Sequence, residues 1–325
     1  MPVIIPSGLP AARTLAAENI ITMTKSRANR QGIRPLKIAI INLMPTKETT
    51  ETQLLRVLGN TPLPVEVVLV RLDTHQSRNT PTEHLQRFYR PFSSIMTDPF
   101  HGLVITGAPV EHLPFEEVTY WQELTAILEW SRRRNLPTFH ICWGAQAALY
   151  WHYGIAKRQL PKKCFGVFPH RALVPNCRLL RGFDDYFHIP HSRHTTVLQS
   201  DIEQIEALQV VASSEEAGVG LIVSRDGREV YATGHSEYDA DTLAKEYTRD
   251  LARGLDISPP ANYFPDDDPT QPPLVSWRSH GHLLFSNWLH YYVSRRNRAG
   301  IDMHGEKIPL RLGRRIPCIQ GKSLY

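Results

Sequence analysis

Four short apolar runs in the first half of the chain, each followed by a polar loop and then a stretch of helical character, limit the fold more than any other feature. Residues 36–42, 64–71, 102–105 and the run that ends at Cys142 read as buried strands. Residues 48–59, with Leu54, Leu55, Val57 and Leu58 among polar neighbours, and 115–133 read as amphipathic helices between them. Strands alternating with helices require crossover connections, and these build an α/β fold with a mostly parallel sheet flanked by helices. In such open sheets, sites form beyond the carboxyl ends of the strands. The loops 42–47 and 106–111 and the pair Cys142-Trp143 all leave strands in this way, so they should meet at one edge.

The second half has a different pattern. Strand candidates occur near 164–168, 208–213, 219–224 and 229–234, and Ser224-Arg225-Asp226-Gly227 reads as a hairpin with an Asp-Gly turn. A helix is expected over about 240–253 with Asp239 or Asp241 as its N-cap, and another over 279–297, with a Pro- and Asp-rich loop at 256–274 between them. No clean linker separates two domains. The expectation is a single domain over 36–297 with an additional β layer, an N-terminal extension (1–35) packed on it, and a basic tail (298–325). Residues 294–325 carry eight Lys/Arg against two Asp/Glu, a net of +6, which leaves the rest of the chain near −1 in a total of +5. The tail lacks interleaved aromatic residues and any nucleic-acid motif, which favours a solvated extension over a nucleic-acid-binding module.

Cys142 carries the chemistry. It sits in Pro137-Thr138-Phe139-His140-Ile141-Cys142-Trp143-Gly144-Ala145-Gln146, an apolar run that ends at a thiol, with a Gly two residues on and a helix-forming stretch after it. Strand, tight turn, helix is the order that lifts a nucleophile off a sheet, and N–H groups at the helix start, that of Trp143 among them, can receive an oxyanion. A cysteine alone reads more readily as a buried, inert residue. Thr233-Gly234-His235-Ser236-Glu237 reverses that reading, because it offers a base (His235) and a carboxylate to orient it (Glu237). A thiol, an imidazole and a carboxylate in this relation point to acyl transfer through a thioester. The four cysteines (142, 164, 177, 318) in 325 residues are not a disulfide framework and point to a reducing cytoplasm. No apolar stretch is long enough to span a membrane.

These residues, with Met1-Pro2, Ala17-Glu18-Asn19-Ile20, Ile41-Asn42-Leu43-Met44-Pro45-Thr46-Lys47 and Thr106-Gly107-Ala108-Pro109, make the chain resemble the homoserine O-acyltransferases of methionine biosynthesis over about residues 1–300. The resemblance implies a fold like that of class I glutamine amidotransferases. It implies that Cys142 is the acylated nucleophile, His235 the general base and Glu237 its orienting group. It also implies that Lys163, Ser192 and Arg249 line the substrate pocket; read alone, Lys163 and Arg249 would be surface charges. Substrates would be an acyl-CoA and L-homoserine, with no separate cofactor and no metal, nucleic acid or membrane partner; a homodimer is left open. His140 stands where the amidotransferase elbow commonly has Gly, which argues against glutamine-dependent ammonia transfer or a glutaminase.

In the family so resembled, Gly at the position of Glu111 accompanies succinyl transfer and Glu accompanies acetyl transfer. The expected donor is therefore acetyl-CoA, with succinyl-CoA as the alternative. Electrostatics gives the rule a rationale: two carboxylates ~4 Å apart repel by about 4 kcal/mol at an effective dielectric of ~20. Two further segments bear on ligands. His188, His191 and His194 could suggest a metal site, but Pro190 breaks their register and no carboxylate or Cys completes a set, so the segment reads as a pocket wall. Lys47 follows a strand and is expected to meet an anionic part of the donor.

Overall fold

The computed structural model describes residues 1–75, 77 and 79–294; the basic tail, Cys318 and the end of the expected last helix lie outside the described residues. The strands are β1 (Val3–Ile5), β2 (Thr22–Thr24), β3 (Leu36–Ile41), β4 (Val65–Arg71), β5 (Tyr89–Pro91), β6 (Gly102–Ile105), β7 (Thr138–Ile141), β8 (Arg158–Ala172), β9 (Tyr186–Thr196), β10 (Leu208–Ser214), β11 (Gly218–Ser224) and β12 (Glu229–Ala232). The α-helices are α1 (Ala11–Ala17), α2 (Lys25–Arg30), α3 (Lys47–Gly59), α4 (Thr82–Phe88), α5 (Trp121–Arg133), α6 (Trp143–Tyr153), α7 (Gln199–Glu203), α8 (Thr242–Ala252) and α9 (Arg278–Trp288).

One sheet runs in the order β2-β1-β4-β3-β6-β7-β12-β11-β10-β8-β9, with β5 added beside β4. From β2 to β12 the neighbours are parallel, and from β12 to β9 they are antiparallel. The additional β element is thus an antiparallel extension of the same sheet. Residues 1–35 contribute β1 and β2, which pair onto the edge formed by β4.

The central strands are apolar on both faces because both faces are covered. The two-residue period of a strand sends Ile38 and Ile40 to one side, against Leu54, Leu55 and Leu58 of α3 and Leu284, Phe285 and Trp288 of α9. It sends Ala39 and Ile41 to the other, against Leu124, Ile127 and Leu128 of α5 and Ala145, Ala148 and Leu149 of α6. Expected helix and strand positions agree closely in this half, except that residues 115–117 form a separate 3₁₀ turn before α5. Of the two N-cap candidates, Asp241 precedes α8, but its carboxylate pairs with Lys245 (2.7 Å) instead of capping. The Asp-Gly hairpin is present, with Gly227 at φ +69° and its N–H donated to Ser224 O at 2.9 Å.

The largest departure from the sequence reading is the hairpin β8–β9. The His-rich segment around Pro190 lies within an eleven-residue strand, paired from Arg158↔Thr196 to Arg171↔Tyr186. Its pleat places His191 on the opposite side from His188 and His194, so the three rings do not converge. Among the described residues no group of three His, Cys, Asp or Glu side chains is placed to hold a metal, and no helix is long and apolar enough to cross a membrane.

Over β8 lies the loop 256–274, sealed by Phe165, Val167, Tyr263, Phe264 and Trp277. Gly166 makes this contact possible. Its φ is +150°, and a Cβ there would stand 2.4 Å from the Ala261 carbonyl oxygen, which accepts the Val167 N–H at 2.8 Å. Gly166→Ala should therefore destabilise the fold by about 1–3 kcal/mol, as overpacking generally does. Urea denaturation checks this, and an unchanged midpoint would show that the loop yields freely.

Candidate active site

Strand β7 ends at Ile141, and Cys142 turns the chain into α6. The turn is strained: Cys142 has φ +50° and ψ −118°, a conformation that costs a non-glycine residue of order 1–3 kcal/mol. Surrounding contacts hold it there. The Cys142 N–H donates to Ala232 O at 2.7 Å, and its carbonyl accepts the N–H groups of Ala145 (3.0 Å) and Gln146 (3.1 Å). Two residues on, Gly144 lies so close to β6 that a Cβ would come within 2.5 Å of Thr106 O. Only glycine allows the helix to start here. The first N–H groups of α6, including that of Trp143, have no carbonyl partner inside the helix and stand beside the thiol.

His235 and Glu237 follow β12, the parallel neighbour of β7. His235 Nδ1 and Glu237 Oε1 are 2.7 Å apart, and both side chains are buried. Tyr238 stacks on the imidazole with ring centroids 4.1 Å apart, and the backbone N–H of His235 donates to Pro190 O at 2.8 Å. Burial alone would push the imidazole pKa down. The charges of Cys142 and Glu237 and hydrogen bonds to both outweigh it and hold the ring well above its usual value. The arrangement favours a proton on His235. The loop at Gly107 closes over the pair, since a Cβ on Gly107 would stand 3.2 Å from Cys142 Cβ and 3.7 Å from His235 Cε1.

Cys142 and His235 open into a cavity of about 430 Å³ that Lys163, Ser192, Arg249 and Glu111 also line. Glu237 supports His235 from behind and is not part of this wall. The Trp143 ring is buried away from the cavity, against Phe115 and Tyr120. Lys163 Nζ lies over the Phe165 ring (4.1 Å) and 3.4 Å from both Glu246 and Asp250. Ser192 donates to Glu246 Oε2 at 2.5 Å. Arg249 binds Asp250 Oδ1 through Nε (2.8 Å) and a terminal nitrogen (2.7 Å), and this hydrogen bonding keeps its pKa above the usual value. The guanidinium remains half exposed at the rim.

Sequence reasoning missed Glu246, which ties Ser192 and Lys163 together. Its signal was the three-residue spacing to Arg249, which puts both on one face of α8. Lys47 requires a correction. It is buried, donates to the carbonyls of Asn42 (2.5 Å) and Met44 (3.2 Å), and burial lowers its pKa to about 8. It fastens the 42–47 loop from beneath and does not reach the cavity. Glu111 does reach the cavity wall, yet its carboxylate is bound by the backbone: Oε2 accepts the N–H groups of His194 (2.6 Å) and Thr195 (3.0 Å).

Residues 2–299 match the model of the family described as homoserine O-succinyltransferase. A protein named homoserine O-acetyltransferase from Acetivibrio thermocellus is 60% identical over 293 residues, covering 90% of this chain and 96% of that protein. Proteins of the same name from Brevibacillus brevis and Geobacillus kaustophilus are each 58% identical over 90% of this chain, covering 96% and 97% of those proteins. Among solved structures, a protein described as a GMP synthase subunit from Thermoplasma acidophilum superposes with a TM-score of 0.53 at 15% identity, covering 82% of this chain and 98% of that one. A glutamine amidotransferase from Thermotoga maritima does so with 0.51 at 15% identity, covering 80% and 99%. These two show that the fold is of the class I glutamine amidotransferase type.

The geometry sets the order of thiol reactivity. Cys142 should be alkylated by iodoacetamide faster than Cys164, whose pKa burial raises. His235→Asn should slow that reaction by about 10²–10⁴, the usual worth of a positioned base, and Glu237→Gln by less, because it keeps the shape of the orienting group. Peptide-resolved mass spectrometry measures the rates. A Cys142 that reacts equally fast in the His235→Asn variant would show that the imidazole does not activate it.

Proposed function

The chain belongs to the homoserine O-succinyltransferase family, and from that premise we propose that it transfers the acetyl group of acetyl-CoA to the hydroxyl of L-homoserine, in methionine biosynthesis. The observation that carries this reading is the hydrogen-bonded set Cys142–His235–Glu237 facing a cavity whose wall contains Glu111.

Each step uses a group already in place. The Cys142 thiolate attacks the thioester carbon of acetyl-CoA. The resulting oxyanion is received by N–H groups at the start of α6, where loss of one donor typically costs about 10²–10³ in rate. The carbon–sulfur bond to CoA breaks, and the departing thiolate takes the proton held by His235. Homoserine then enters. Its hydroxyl gives a proton to His235, and the oxygen attacks the Cys142 thioester. The bond to Cys142 breaks, O-acetylhomoserine leaves, and the thiolate–imidazolium pair is restored. Arg249 at the cavity rim suits the substrate carboxylate, because a guanidinium fork matches two oxygens. Glu246, with Ser192 and Lys163 around it, suits the ammonium. Acetyl-CoA acts as co-substrate and the chemistry calls for no further cofactor. The unpaired thiols of Cys142, Cys164 and Cys177 fit a reducing cytoplasm.

Succinyl transfer is the activity in the description of the matching family model. Glu111 in the cavity wall favours acetyl. Incubation with acetyl-CoA should add one acetyl group to the intact mass, and the peptide containing Cys142 should carry it. Homoserine should remove it, and Cys142→Ala should never acquire it. The kcat/KM for acetyl-CoA should exceed that for succinyl-CoA. A label elsewhere, or a parent enzyme that prefers succinyl-CoA, would refute the assignment.

A further inference from the structure

Tyr238 comes directly after Glu237 and borders the cavity, yet no step described above uses it. Its ring lies flat on the His235 imidazole, with centroids 4.1 Å apart and planes 13° apart. It also belongs to the apolar cluster of Phe165, Leu243, Tyr263 and Trp277. Trp277 Nε1 donates to its backbone carbonyl at 3.1 Å. A ring held by an imidazole and an apolar cluster has a fixed direction, so its hydroxyl has a fixed place.

That place is the end of the cavity where an acceptor would dock. The same wall contains Cys142, Ser192, Glu246 and Arg249. Burial is the first cause that holds the phenol pKa well above its ordinary value, and the charges of Glu246, Cys142, Glu237 and Glu111 follow in that order. Arg249, kept above its usual value chiefly by its bond to Asp250, feels the phenol as well. The hydroxyl therefore keeps its proton and lies near both the thiol and the two groups that suit an amino acid's ammonium and carboxylate.

A hydroxyl on a residue only 9% exposed normally has a partner. Among the described residues the Tyr238 hydroxyl makes no hydrogen bond. Glu246 has a free oxygen too: Ser192 and Lys163 both go to Oε2, and none of the described residues donates to Oε1. Two oxygens on one wall that can accept call for a donor, and an ammonium brings three hydrogens. The charges agree with this. Glu246 and Asp250 against Lys163 and Arg249 form a neutral set, which suits a zwitterion.

We propose that the Tyr238 hydroxyl and Glu246 Oε1 together hold the ammonium of the acceptor amino acid, so that Tyr238 selects the acceptor and takes no part in loading the acetyl group. The inference rests on the acetyl-transfer reading and adds a substrate contact to it. The ammonium donates to both oxygens and Arg249 takes the carboxylate. The side-chain hydroxyl is then left to reach His235 and the Cys142 thioester.

Tyr238→Phe removes the hydroxyl and keeps the stacked ring. Because the hydroxyl bonds to nothing in the fold, the thermal midpoint should stay within about 2 °C of the parent. Acetylation of Cys142 by acetyl-CoA, followed by intact mass, should keep its rate within about threefold. Calorimetric titration with L-homoserine should give a Kd about tenfold higher for Cys142→Ala/Tyr238→Phe than for Cys142→Ala, the scale of one hydrogen bond to a charged group. Glu246→Gln in the same background should also weaken binding. Combined with Tyr238→Phe, it should lose less than the product of the two single losses, because both oxygens serve one ammonium. An unchanged Kd, losses that simply multiply, or a Cys142→Ala protein that does not bind homoserine would overturn the proposal. So would an acetylation rate that falls as far as the Kd rises, or a midpoint lowered by several degrees, which would make the hydroxyl a structural group. A parent that takes no acetyl from acetyl-CoA would instead refute the transferase reading, and the homoserine titration would still decide the role of Tyr238.

Discussion

The site depends on one strained turn. Cys142 is held at positive φ because its N–H, its carbonyl and Gly144 are all committed: to Ala232, to Ala145 and Gln146, and to the backbone at Thr106. The cost, of order 1–3 kcal/mol, is met by the packing of α6 against the sheet, where Ala145, Ala147, Ala148 and Leu149 are fully buried. A relaxed turn would carry the thiol away from His235, which follows the adjacent strand β12. The strain and the position of the thiol are one property of this backbone.

The loops around the thiol are fixed by buried polar groups. Thr106 Oγ1 accepts the Leu43 N–H (2.8 Å) and donates to Gly107 O (3.0 Å), joining two strand-end loops. Beneath the first of them, Glu51 accepts hydrogen bonds from Tyr89 (2.6 Å) and His84 (2.9 Å), and Tyr89 accepts one from Asn42 (2.9 Å). Lys47 completes this layer through the Asn42 and Met44 carbonyls. Such networks hold a unique geometry when every member is satisfied. The mobility expected of loops is therefore suppressed where the cavity needs a firm wall.

Much of this was legible in the sequence, for physical reasons that differ by element. The parallel half was readable because strands buried on both faces must be continuously apolar, as residues 38–41 are. The meeting of Cys142, His235 and Glu237 was readable because a thiol on a strand–helix turn and a His-x-Glu at another strand end lie at the same edge of a parallel sheet. Strand β9 was not readable: Pro190, three His and Arg193 hide its period, and only pairing with β8 and the burial of Phe187 and Ile189 make it a strand. The role of Lys47 failed for a related reason. A lysine after a strand looks available for an anion, and nothing local shows that its ammonium turns inward to two carbonyls. Glu246 was passed over because an acidic residue on an amphipathic helix looks like a solvent-facing charge. Its partners Ser192 and Lys163 are more than fifty residues away.

His140 shows how a departure from the amidotransferase elbow is accommodated. Its ring is fully buried and stacks on Tyr231, with centroids 4.9 Å apart and planes 9° apart. Its Nε2 is 3.5 Å from Glu229 Oε1, and Arg132 donates to Glu229 Oε2 at 2.7 Å. Burial would raise the Glu229 pKa, but His140 and Arg132 outweigh it and keep the carboxylate ionised. The imidazole fills the space that a glycine would leave, and Glu229 beside it is held by Arg132 from α5 and by the Tyr231 hydroxyl, which donates to Oε2 at 2.8 Å. His140, Glu229 and Arg132 come from β7, β12 and α5, and they join the two strands to the helix. The set lies beneath the two strands that carry Cys142 and His235. It gives their registry a polar constraint that apolar packing alone would leave free to slide.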